Sequence, residues 1–204
     1  GYADRLAETA NNLLNEYTQR LFKRLPPVFD AVDTPNIPTS WSSVCYGNGK
    51  FVAVNQNYNQ AAYSSDGTNW IMVTLPCSAR WFSVCYGNGK FVAVAFDSNQ
   101  AAYSQDGITW TAATLPISSQ WHSICFGNGK FVAVSSVGKA AYSADGITWT
   151  ETAMPSASTW YSVCYGDGRF VALAYSSNKA AYSTDGITWT AATLPSSANW
   201  QSVC

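Results

Sequence analysis

A period of about forty residues limits what this chain can fold into. Trp41, Trp81, Trp121, Trp160 and Trp200 each open a Trp-x-Ser-Val/Ile-Cys segment, at spacings of 40, 40, 39 and 40 residues. A fixed period of this length marks a repeat architecture, in which each unit buries its apolar face against its neighbours.

Within a unit the pattern is that of four short strands. In the second copy, Trp81 to Tyr86 is an aromatic and β-branched run, Gly87-Asn88-Gly89 a tight-turn signal, and Phe91-Val92-Ala93-Val94 a second run. Ala101-Ala102-Tyr103-Ser104 reads as a third strand, Asp106-Gly107 as a second turn, and Thr109-Trp110-Thr111 as a fourth strand. Four strands in about forty residues make one propeller blade. Repeats built from helix pairs would space their apolar residues helically, and a β-sandwich would not repeat its sequence. The expected fold is therefore all-β, a β-propeller with units at 41–80, 81–120, 121–159 and 160–199 and the start of a fifth at 200–204. The first unit already owns an opening strand, so Trp200 to Cys204 is redundant for closing a ring. The expectation is a fragment of a longer chain with at least five blades.

Residues 1–40 differ in kind. Leu6, Ala10, Leu13, Leu14, Tyr17 and Leu21 fall on one face at helical spacing, with Asp4 placed to cap the start and Pro26-Pro27 to stop it. This predicts an amphipathic helix over residues 1–25 and a Pro-rich linker over 26–40. A lone helix must bury its stripe elsewhere, on the propeller's side, on copies of itself or on a larger assembly. The stripe does not hold a seven-residue repeat, which argues against a long coiled coil.

Charge narrows the partners. From Trp41 onward there are seven Lys/Arg and seven Asp/Glu, leaving no basic stripe for nucleic acid and no polybasic patch for a membrane. No apolar run approaches the roughly 18 residues of a membrane helix. Cys45, Cys85, Cys125, Cys164 and Cys204 occupy one position in successive first strands, with only Cys77 out of register. Equivalent positions on neighbouring blades are usually too far apart for a disulfide, and without Cys-x-x-Cys and with a single His no metal site or cofactor is expected. Free core thiols fit folding in a reducing compartment.

The second turn of each unit carries a resemblance. Ser64-Ser65-Asp66-Gly67-Thr68-Asn69-Trp70 and its counterparts around Asp106, Asp145 and Asp185 resemble the Asp-box of sialidase-like (BNR-like) propellers, one residue shorter than the usual pattern. In such turns Asp accepts backbone N–H groups, Gly takes the positive φ and Trp covers the turn. The resemblance implies that these four aspartates are structural and lie away from the ligand site.

Comparing the copies shows where a site can lie. The Gly-Asn/Asp-Gly and Asp-Gly turns, which fall on one end of a four-stranded meander, hardly change. Divergence collects at the opposite end, in loops carrying Tyr58 and Asp97, in the residues before each opening Trp (Arg80, Gln120, Thr159, Asn199), and in those after it (Phe82, His122, Tyr161, Gln201). Strand alternation predicts that Arg80 lies beside Phe82 and Gln120 beside His122. Such a rim suits a polar ligand, although drift at exposed positions would also vary it.

Sialidase chemistry needs clustered arginines, a Tyr–Glu pair and an acid. The repeat region offers Arg80, Arg169 and Glu151, with Arg169 on the constant turns, and His122 has no evident nucleophile nearby in sequence. The expectation is a chain that is not an enzyme. Taken together, the Trp-x-Ser-Val-Cys-Tyr-Gly-Asn-Gly-Lys-Phe-Val-Ala-Val units with Ser-x-Asp-Gly-x-Thr-Trp boxes resemble propeller repeats of bacteriophage tail and head fibre proteins. That resemblance implies a virion protein, folded in the host cytoplasm, whose helix docks on other virion proteins or forms a homo-oligomer, and whose propeller meets a host-surface glycan or protein. A cellular scaffold binding a protein partner is the alternative, and a glycosidase the third.

Overall fold

The computed structural model describes residues 40–204. The expected helix of residues 1–25, with its docking stripe Leu6, Leu13, Leu14, Tyr17 and Leu21, lies outside the described residues, as does the linker up to residue 39.

The described residues form four antiparallel four-stranded sheets, each with its strands in chain order. The first holds β1 (Trp41–Gly47), β2 (Lys50–Asn55), β3 (Gln60–Ser64) and β4 (Ile71–Thr74); the second β5 (Arg80–Gly87), β6 (Lys90–Phe96), β7 (Ser98–Ser104) and β8 (Thr111–Ser119). The third holds β9 (Trp121–Gly127), β10 (Lys130–Ser135), β11 (Lys139–Ser143) and β12 (Thr150–Ala153); the fourth β13 (Trp160–Gly166), β14 (Arg169–Ala174), β15 (Ser177–Ser183) and β16 (Thr190–Ala198).

The first hairpin of each sheet follows from its turn. Asn48, Asn88, Asn128 and Asp167 all have positive φ, and so does the Gly after each. Two successive left-handed residues form the turn whose twist matches paired strands, and Asn-Gly is the pair that tolerates it best.

Each sheet is covered by its neighbour, so the second strands are buried without alternation: Phe91, Val92, Ala93, Val94 and Ala95 are all fully inaccessible. Three apolar cores result, one between each pair of successive sheets. In the first, Val52, Val54, Ala61 and Leu75 meet Val84, Phe91, Ala93 and Ala102.

Polar clasps fix how the sheets stack. The Ser two residues after each opening Trp accepts the backbone N–H of the next unit's Val or Ile: Ser43 from Val84 at 3.2 Å, Ser83 from Ile124 at 3.1 Å, Ser123 from Val163 at 3.2 Å and Ser162 from Val203 at 3.1 Å. At the constant end the turn Asn side chains donate onward, Asn88 to the Ala144 carbonyl and Asn128 to that of Thr184. Gly47, Gly87 and Gly127, which end the first strands of the first three sheets, make room for the next unit, since a Cβ on Gly87 would stand 2.0 Å from the Phe126 ring.

Candidate functional site

The constant turns are built as structure. Asp106 Oδ1 accepts the backbone N–H groups of Ile108 and Thr109 at 2.8 Å and the Ser104 hydroxyl at 2.9 Å. Ser104 Oγ in turn accepts the N–H of Gly107 at 2.8 Å, a role the sequence reading did not assign to the serine. Asp66, Asp145 and Asp185 repeat the arrangement. Backbone N–H groups lower the pKa of Asp145 and Asp185, those of Thr148 and Ile187 foremost. A carboxylate satisfied in this way holds a turn and has no proton to exchange near neutrality.

At the opposite end the inner strands break register. Trp81 pairs with Ala95 and Ser83 with Val94, leaving Phe82 as an extra residue. The same bulge isolates Ser42, His122 and Tyr161 in the other three sheets. A bulge re-aims the side chain it carries and is found beside functional sites. Here it sets Phe82 outside the ladder, beside Phe96. Arg80 lies over the Phe96 ring at 4.5 Å, with Nη1 3.2 Å from Asp97.

The bulged residues of three successive sheets meet. Phe82 lies 5.5 Å from His122 and 6.3 Å from Tyr161 between ring centroids, and His122 lies 4.6 Å from Tyr161. Phe96, at the end of β6, stacks on Phe82 at 5.4 Å, and Tyr175, just past β14, contacts Tyr161 at 5.2 Å. These two rings were in the variable loops but had not been singled out. Their signal is position, since Phe96 ends and Tyr175 follows a second strand whose end lies opposite a bulge. The first sheet contributes no ring, because its bulged residue is Ser42, which donates to the Trp81 carbonyl at 2.7 Å.

His122 is the buried polar member, 8% exposed, with both ring nitrogens lacking a protein hydrogen-bond partner. Burial pushes its pKa down to about 4, against the opposing charge of Asp97, so the imidazole is neutral at pH 7. Leaving a buried polar group unpaired costs about 1–3 kcal/mol.

The remaining candidates take no part in the ring contacts. Gln120, Asn199 and Gln201 are exposed and Thr159 half-buried, and the Asn199 carbonyl oxygen accepts the Ser176 hydroxyl at 3.0 Å. Tyr58 stands apart on the loop after β2, exposed and outside the ring contacts. Tyr58, Asp97, Val137 and Ser176, one in each variable loop, all take positive φ. Such backbone strain concentrates where loops serve a site.

The inner-strand cysteines are free, and burial raises the pKa of Cys45 to about 12. Among the described residues, no three His, Cys, Asp or Glu side chains gather into a metal-binding group.

No protein-family model matches the chain, and no curated protein matches it in sequence. Solved structures do. A streptogramin B lyase is similar with a TM-score of 0.69 at 15% identity, over 78% of this chain and 57% of that one. A catalytically inactive virginiamycin B lyase from Staphylococcus aureus with quinupristin gives 0.71 at 16% identity, over 80% and 58%. YCF48 with a bound peptide gives 0.60 at 16% identity, over 78% and 55%. The chain thus spans a little over half the length of these structures. Identities this low establish the fold alone: the chain is a β-propeller repeat protein. They also overturn the expectation that it is not an enzyme. The fold is one on which lyases are built, and the scarcity of arginine and glutamate weighed only against sialidase chemistry.

Proposed function

We propose that the chain is a structural component of a bacteriophage particle, a fibre or appendage whose variable propeller end binds a host-surface ligand. Residues 1–25 anchor it to other virion proteins or to copies of itself. The observation that carries this reading is the gathering of Phe82, His122 and Tyr161 from three units at the end opposite the unchanging turns. Framework residues that explain themselves by packing stay constant, while the residues that differ from unit to unit are the ones brought together. The Asp-box-like turns and the phage-like repeat supply the virion setting, and free thiols suit folding in the host cytoplasm.

Cryo-EM of the source particle tests this. The reading expects the propeller on a virion with the Phe82–Tyr161 end turned outward; the same end sealed against another virion protein would refute host binding. A protein-binding scaffold is the second reading, favoured by the peptide bound to the similarly folded YCF48.

A further inference from the structure

We propose that the uncovered face of the first sheet is an interface for a second copy of this chain, which meets it with the trailing face of its fourth sheet. The template is a junction that the chain builds three times. At the first of these, the paired row Val84, Ala93 and Ala102 of the second sheet packs on Val52, Val54 and Ala61 of the first. The equivalent row in the first sheet is Val44, Ala53, Ala62 and Met72, and no sheet precedes it among the described residues. Val44, Tyr46 and Met72 are accordingly exposed, at 59%, 61% and 40%. Met72 stands where the other sheets carry Ala112, Glu151 and Ala191, so this face is apolar out to its edge strand.

The fourth sheet offers the matching half. Val171 is half-buried where Val52, Val92 and Val132 are inaccessible, and Ala192 is exposed where Ala113 is buried. Trp200 to Cys204 lies on part of this face, with the Val203 N–H donating to Ser162 Oγ at 3.1 Å. Trp41 to Cys45 of the second copy has the same Trp-x-Ser-Val-Cys pattern and exchanges for it like for like. The second copy's Val44 N–H then takes the Ser162 oxygen, as the Val84 N–H takes that of Ser43. The polar bonds balance, and the net gain is the apolar surface of Val44, Tyr46, Met72, Val171 and Ala192 withdrawn from water. Since the two halves differ, the pairing is head-to-tail and repeats from copy to copy.

Sedimentation equilibrium of the full chain over a range of concentrations tests this, with Val44→Asp, Ala192→Asp and an equimolar mixture of the two. Both positions are exposed, and a thermal melt of each dilute variant checks that it folds. The average mass should rise with concentration, and each variant alone should associate about tenfold more weakly or worse, because the new carboxylate must be buried. Mixed, the variants should recover association but stop at pairs, since Val44→Asp keeps the fourth-sheet half and Ala192→Asp the first-sheet half. A chain that stays single at every concentration overturns the second copy as the occupant. Association indifferent to both substitutions runs through another surface, such as residues 1–25, and overturns the interface. Loss in Val44→Asp alone overturns the head-to-tail pairing with the fourth sheet.

Discussion

His122 is buried in the ring cluster with both ring nitrogens unpartnered. Its folded pKa of about 4 lies below the ordinary 6.5, so the unfolded chain takes up the proton first as pH falls. Stability is fully present above about pH 6.5 and is lost on the way down to pH 4, by about 3 kcal/mol in all. The aspartates of the constant turns titrate below their ordinary 3.8, leaving the window between to the histidine. Urea unfolding at pH 7 and pH 4.5 should therefore show a fall that His122→Gln abolishes. The identity of this residue was legible in the sequence as a difference among equivalent positions. Its burial was not, because burial depends on rings from two other units.

Strands and turns were the most readable elements, and the bulge the least. Asn-Gly turns and β-branched runs are local, so the second strand was legible as Phe91 to Val94 within the observed Lys90–Phe96, whereas the fourth, expected at Thr109 to Thr111, lies at Thr111–Ser119 because Thr109 and Trp110 belong to the Asp-Gly turn. One extra residue between Trp81 and Ser83 changes no composition, yet it redirects Phe82 and hands Arg80 to Phe96. The repeated serine was likewise visible as a constant, while its bond to the following unit was not. Ser83→Ala leaves the Ile124 N–H buried without its acceptor and should cost about 1–3 kcal/mol in chemical denaturation. Ser83→Thr, which keeps a hydroxyl, should lose less.

Across the whole repeat region, one sequence position reports how the sheets stack. The valine or isoleucine three residues after the opening Trp is 59% exposed at Val44 but only 4% at Val84, 5% at Ile124 and 5% at Val163. The last three pack on a preceding sheet, and Val44 has no preceding described sheet. Val84→Ala should thus cost about 1.5–3 kcal/mol, against within about 0.5 kcal/mol for Val44→Ala, in parallel thermal melts. The period predicted the number and order of the sheets. It could not say which ends would meet a partner, because nearly identical units differ only in what lies beside them.

On the proposed function, the repeat region divides into a constant end that holds the fold and a variable end that binds. Surface plasmon resonance of the full chain on host-cell envelopes, with Tyr161→Ala and Tyr175→Ala at one end and Asn88→Ala and Lys90→Ala at the other, tests it most directly. The tyrosine variants should bind more weakly and the turn variants as the wild type does. Loss confined to the turn variants, with the tyrosine variants unchanged, would contradict it.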